Sequence, residues 1–231
     1  MKTIGLIGGM SWESSIEYYR IINEEVRCRL GGLHSAKCVM CSVDFDEIAM
    51  LQRQGNWEEL TRIMVNSAKK LKNSGADFIL ICTNTMHIMA DDVQKQAGIP
   101  VIHIADATGK KIKEKGFKKV GLLGTKFTME KDFYKKRLSE KYGIETIIPE
   151  ENEREDIHRI IFEELCIGEI KPASKERIRQ IISGLSLKGA QGIILGCTEI
   201  PLIISQSDTI MPVFDTTFIH AVSAVDNALC K

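Results

Sequence analysis

The chain has 231 residues, enough to bury roughly 70% of the surface its unfolded form exposes, so a full hydrophobic core is expected, as one large domain or two of about 100 residues. Its 31 basic and 31 acidic residues cancel, which leaves no bulk field to recruit nucleic acid or an anionic membrane. No apolar run approaches the 18 or so residues of a membrane span, and Met1-Lys2 leads straight into a strand pattern, so a cytoplasmic protein without a membrane partner is expected.

Residues 3–9, TIGLIGG, read as a first strand ending in a glycine turn. Ile16, Tyr19, Ile22 and Val26 follow at helical spacing, with Ser11 and Ser14 as candidate N-caps. The turn resembles a dinucleotide fingerprint only in part, because the third glycine of G-x-G-x-x-G is missing. Lys37 to Val43 offers a second strand, and Gln52 and Arg53 stand in a polar stretch with outward reach. Asn56 and Glu59 form a capping-box pattern ahead of a helical stripe, Leu60, Ile63, Met64, Ala68 and Leu71. From Gly75 the chain reads GADFILICTNTMH, a buried strand ending in a polar loop, and Val101 to Ile104 reads as a further strand.

A second half then restarts the first. VGLLGT at 120 echoes IGLIGG at 4, GAQGIILGCT at 189 echoes GADFILICTN at 75, and MPVF at 211 echoes IPVI at 99. Three ordered echoes at nearly constant offset predict two similar parallel-sheet α/β lobes related by a pseudo-twofold, with the active site in the cleft between them. The first lobe would span 1–103 with a tail from 212–231, and the second 104–211. Helical patterns cover Ser174 to Leu187 and Thr217 to Leu229.

The stretch Gly189 to Pro201, GAQGIILGCTEIP, sets Cys197 just past a run with no alternation, where an open parallel sheet places reactive groups. The ungapped offset between halves sets Thr83 against Cys197, Asn84 against Thr198 and Thr85 against Glu199. Cys82 falls one residue early, and successive strand residues face opposite sides. Pairing Cys82 with Cys197 instead requires a one-residue gap or bulge. The seven cysteines form no disulfide framework for a chain of this length and read as reduced thiols. Cys38 and Cys41 make a C-x-x-C without a second pair, and His34, His103, His158 and His220 show no ligand spacing, so no metal is expected. No lysine lies in a pattern suggesting a pyridoxal Schiff base, and no cofactor is expected.

GCTEIP, ICTNTMH and IGLIGGMS together resemble the aspartate/glutamate racemase family, over essentially the whole chain. The resemblance implies a cofactor-independent amino-acid racemase that inverts the α-carbon of aspartate or glutamate by two-base proton transfer. The family's usual first motif, Cys-Asn-Thr-x-His, is here Thr83-Asn84-Thr85-Met86-His87, with the cysteine displaced to Cys82. A Thr83–Cys197 pair resembles the branch acting on the L-enantiomers. It also implies an acidic amino acid as the small-molecule partner, and a homodimer.

A thiol of pKa about 8.5 supplies some thiolate at neutral pH, and a cleft dipole would raise that fraction. A threonine hydroxyl is a poor base without an activator, so substrate-enantiomer bias toward L is expected. Backbone N–H groups after Gly8-Gly9-Met10, with Asn84, Thr85 and Thr198, are candidates for holding carboxylates, with Gln52 or Arg53 for the distal one. Glu199 is a further candidate contact, or a helix cap. Two alternatives stay open: a related isomerase or decarboxylase using one cysteine, and a binding module in which Cys197 is only a buried small residue.

Overall fold

In a computed structural model, residues 1–230 are described. They form two compact units, Met1–Ile104 together with the stretch from His220 onward, and Ala105–Ile219. The first carries β1 (Ile4–Gly8), α1 (Trp12–Leu30), β2 (Cys38–Ser42), α2 (Phe45–Gln54), α3 (Trp57–Asn73), β3 (Phe78–Ile81) and α4 (Ala90–Ala97). Then come α5 (Ile104–Glu114), β4 (Lys119–Gly124), α6 (Lys126–Glu130), α7 (Asp132–Tyr142), β5 (Glu145–Ile147), α8 (Glu151–Glu163), α9 (Pro172–Leu187), β6 (Ile193–Gly196), β7 (Val213–Asp215) and α10 (Thr216–Leu229).

Both sheets are parallel. The first has the order β2-β1-β3, extended by one bridge from Ile79 to Val101, and the second has the order β5-β4-β6-β7. The same winding is thus used twice, and the difference lies in the last strand. Residues 101–104, expected as a strand, supply only that bridge, because α5 already begins at Ile104. In the second unit β7 is a true strand against β6, which keeps Val213–Asp215 with that sheet and moves the unit boundary from 211 into α10.

Strand alternation divides the first unit's core between the two faces of its sheet. Ile7, Ile79 and Ile81 pack with Ile48, Leu60, Met64 and Leu71 of α2 and α3. Ile4, Leu6, Phe78, Leu80 and Cys82 pack on the opposite face with Tyr18, Ile22 and Val26 of α1 and Ala221, Ala224 and Val225 of α10. Each such aliphatic side chain contributes on the order of 1.5–3 kcal/mol on burial. In the second unit Leu122, Ile193, Ile194 and Leu195 are all but inaccessible, as are Ile157, Ile161, Ile178 and Ile182 of α8 and α9.

Helix α1 departs from expectation. Its buried face is Tyr18, Ile21, Ile22 and Val26, whereas Ile16 and Tyr19 are about half exposed, as is Trp12 one turn earlier. The apolar stripe of this helix is wider than the face the fold covers, and periodicity cannot say which edge is left out. Ser11 is the N-cap, accepting from the Ser14 amide, and Asn56 caps α3 by accepting from Glu59.

Two glycine arrangements bring backbone close at the strand ends. Gly9 has a φ of 89°, and a Cβ there would lie 2.2 Å from the Val43 carbonyl oxygen. Gly124 and Gly196 are register partners on β4 and β6, and a Cβ on Gly196 would meet Leu122 Cδ1 at 2.6 Å and the Leu123 oxygen at 2.8 Å. Gly196→Ala should therefore cost about 1–3 kcal/mol of folding free energy through overpacking. Gly184 in α9 has nothing within 4 Å of a built Cβ and no positive φ, so Gly184→Ala should stabilise by about 0.5–1 kcal/mol. Urea midpoints at unchanged m-value would read both effects.

Candidate active site

Thr83, Asn84 and Thr85 follow the carboxyl end of β3, and Cys197, Thr198 and Glu199 that of β6, where helix-covered parallel sheets leave room for chemistry. In the first unit Cys82 still belongs to the ladder, its amide donating to the Ile7 carbonyl at 2.9 Å. Its side chain is fully buried on the Leu80 face, and burial pushes its thiol pKa far above the usual range. Thr83 follows as the first residue to leave the strand, half-buried, its amide turned back onto the Ile81 carbonyl at 2.8 Å. Asn84 and Thr85 are buried at the start of the 3₁₀ turn Thr85–Met89.

Met10 and Gln52 are also buried in this unit, Met10 in the loop after β1 and Gln52 on α2. The Gln52 amide nitrogen points at Met86 Sδ, 3.4 Å away, which brings α2 to the loop after β3. Arg53, its neighbour, is exposed. The Gly9 amide donates to Ser15 Oγ at 2.8 Å.

In the second unit the end of β6 holds a compact polar cluster. Cys197 Sγ donates to Glu199 Oε2 at 2.8 Å, and Thr198 Oγ1 donates to the same oxygen at 3.0 Å. All three side chains are buried. Glu199 makes no side-chain cap on the short 3₁₀ turn that follows, Ile200–Leu202, so its carboxylate is directed at the thiol instead. Burial, and then the Glu199 charge, push the Cys197 pKa well above that of a free thiol. The expectation of a thiol made more acidic by its surroundings is therefore corrected: burial and the neighbouring Glu199 both favour the neutral thiol.

Sequence reasoning passed over three residues on the same edge. Thr125 follows Gly124 and caps α6, its Oγ1 accepting from the Thr128 amide at 3.2 Å. Thr216 Oγ1 donates to the Leu195 carbonyl at 2.7 Å, tying the start of α10 to β6, and Asp215 caps that helix by accepting from the amides of Thr217 and Phe218. The repeat VGLLGT had already placed Thr125 at a strand end, so its signal was present.

Among the described residues no group of three or more His, Cys, Asp or Glu side chains could hold a metal ion, and no helix is long and apolar enough to cross a membrane. Cys38 and Cys41 lie three residues apart on β2 and pack into opposite cores, so they do not converge on one ligand.

Residues 7–224 match the Asp/Glu/hydantoin racemase family, and the chain belongs to that family. It is 54% identical to a candidate Asp/Glu racemase from Yersinia pestis, with full coverage of both chains and a TM-score of 0.92. An aspartate racemase homologue from Pyrococcus horikoshii OT3 is 40% identical over 99% of both chains, with a TM-score of 0.84. A broad-specificity amino-acid racemase of Bacillus subtilis (strain 168) is 25% identical over 176 residues, 74% of each chain.

His220 on α10, fully buried behind the Thr83 loop, donates from Nε2 to the Ile102 carbonyl at 2.8 Å and accepts at Nδ1 from the Tyr18 hydroxyl at 2.9 Å. Burial, and then the neighbouring His87, push its pKa down to about 3. The unfolded chain, with a histidine pKa near 6.5, binds this proton first as pH falls, so folding free energy should be full above about pH 6.5 and decline below it toward pH 3. Between pH 6.5 and 5, above the range where carboxylates titrate, urea unfolding should show this decline, and His220→Gln should flatten it.

Proposed function

We propose that this chain is a racemase of aspartate or glutamate that works by two-base proton transfer and favours the L-enantiomer as substrate. Cys197 and Thr83 are the two groups, and the observation that carries the reading is the hydrogen bond from the Cys197 thiol to the Glu199 carboxylate. A buried thiol cannot take a proton from carbon until it has lost its own, and Glu199 is positioned to receive that proton. With one proton the pair acts as base in the form thiolate–carboxylic acid; with two it acts as acid.

In the L-to-D direction the pair shifts its proton to Glu199, and Cys197 sulfur takes the proton from Cα. The electron pair of the broken C–H bond delocalises onto the α-carboxylate. Thr83 then gives its hydroxyl proton to the opposite face of Cα and regains one from water, while the Cys197–Glu199 pair releases its extra proton to solvent. One proton enters and one leaves. The contrast between the two groups supports a higher kcat and a higher KM for the L-substrate, with kcat/KM equal for the two enantiomers because they are isoenergetic. The burial of Cys82 in an apolar core favours Thr83 over it as the second group. Asn84, Thr85 and Thr198 would hold the α-carboxylate, and Gln52 the distal one. The reading includes a homodimer, as the family resemblance implies.

Incubation with L-aspartate or L-glutamate in D2O tests the proposal, following deuterium at Cα together with optical rotation. Racemisation with deuterium uptake is expected, at saturated initial rates that differ between L- and D-substrate. Equal rates would remove the Thr83 assignment, and binding without exchange would leave a small-acid binding module. Cys197→Ala should abolish activity, and Thr83→Ala should cost far more than Cys82→Ala. Glu199→Gln should lower kcat by about 100-fold with KM nearly unchanged; a raised KM at constant kcat would instead make Glu199 a substrate contact.

A further inference from the structure

The loop that carries Thr83 is held by an imidazole network that none of the reactions above uses. The Ile104 amide donates to His87 Nε2 at 3.2 Å. A ring nitrogen that accepts from an N–H bears no proton, so the neutral His87 carries its hydrogen on Nδ1 and donates it to the Thr83 carbonyl, 2.8 Å away. With the Thr83 amide on Ile81, both backbone polar groups of Thr83 are fixed. The His87 ring lies against those of His103, at 4.7 Å between centroids, and His220, at 5.5 Å. His220 in turn holds the Ile102 carbonyl, so the two histidines grip one short segment at Ile102 and Ile104. His87 itself is buried, and its own amide closes the turn by donating to the Asn84 carbonyl at 3.0 Å.

We infer that His87 is a positioning residue for Thr83: it locks the backbone of the weaker acid/base so that its hydroxyl delivers a proton to a fixed point. The inference rests on the two-base reading of Thr83 and Cys197. Its physical motive is the difference between the two groups. A thiol paired with a carboxylate stores its proton beside it, whereas a threonine hydroxyl has no such partner in its own chemistry and acts through placement. Misplacement of a reacting group by about 1 Å costs on the order of 100-fold in rate.

The consequence is specific to one half of the reaction. Removal of the α-proton from the L-enantiomer by Cys197, and its return as deuterium to the same face, does not need Thr83. Inversion does. Two substitutions separate the atoms of the ring. His87→Asn keeps an N–H donor at the δ position for the Thr83 carbonyl and loses the acceptor for Ile104. His87→Gln keeps an acceptor at the ε position for Ile104 and loses the δ donor.

The experiment measures Cα deuterium exchange and inversion of the L-substrate side by side in D2O. His87→Gln should keep exchange within a few-fold of wild type while the ratio of inversion to exchange falls by about 100-fold. His87→Asn should restore most of that ratio. A Gln variant with the wild-type ratio, a loss of exchange and inversion in equal measure, an Asn variant no better than Gln, or a Gln variant that fails to fold would each overturn the inference. A wild-type chain that neither exchanges nor inverts acidic amino acids would instead remove the two-base reading beneath it.

Discussion

A parallel sheet wrapped by helices on both faces can do chemistry only at its edge. β1 and β3 are buried along their whole length, as is β6, so no side chain within them can meet a solvated ligand. The first residues past their carboxyl ends inherit the task, and small residues there decide how close the backbones come. Gly9 passes against Val43, and Gly124 and Gly196 face each other across β4 and β6 where any side chain would collide. These contacts set the frame on which Thr83 and Cys197 stand.

Burial at that edge has two opposite effects on Cys197. Removal from water makes a thiol harder to ionise, and a carboxylate beside it adds to the cost. The same carboxylate is also the nearest place for the proton to go. A reactive cysteine is commonly read from a lowered pKa, as beside a histidine cation or a helix N-terminus. Here the geometry supports a different route to the thiolate, in which charge moves within the pair and the net charge of the buried site stays constant. Keeping the charge constant avoids an uncompensated buried ion, the term that otherwise dominates such sites.

Much of this was legible in the sequence, and the reasons differ by residue. Strands β1, β4 and β6 and the repeat followed from apolar runs ending at glycines, a signal carried by residue order. That Cys82 and Thr83 face opposite sides followed from the period of two, and Cys82 does continue the Leu80 face into the apolar core. The segment 101–104 misled because so short a stretch, Val-Ile-His-Ile, fits a strand or the start of a helix equally well, and α5 takes its last residue. The exposed edge of α1 was invisible because periodicity marks an apolar arc without saying what covers it. The partnership of Glu199 with Cys197 depends on side-chain direction across a turn, which spacing does not reveal. The His87–His220 contact joins residues far apart in the chain and could only be seen once α10 was in place.

The two units share a strand order yet differ in how each holds its candidate group. Cys197 is held through its side chain, sulfur to carboxylate, whereas Thr83 is held through its backbone, amide to Ile81 and carbonyl to His87. The difference follows from what each group has to offer. A thiol can hand its proton to a partner, so the useful contact is one that accepts that proton. A threonine hydroxyl gives little to any base, so a contact to its oxygen gains less than one that fixes where the hydroxyl lies. The first unit supplies that fixity with neutral histidines, His220 far below its usual pKa and His87 bound at both ring nitrogens. An uncharged clamp suits this position, because a buried imidazolium beside Thr83 would itself need a counter-charge.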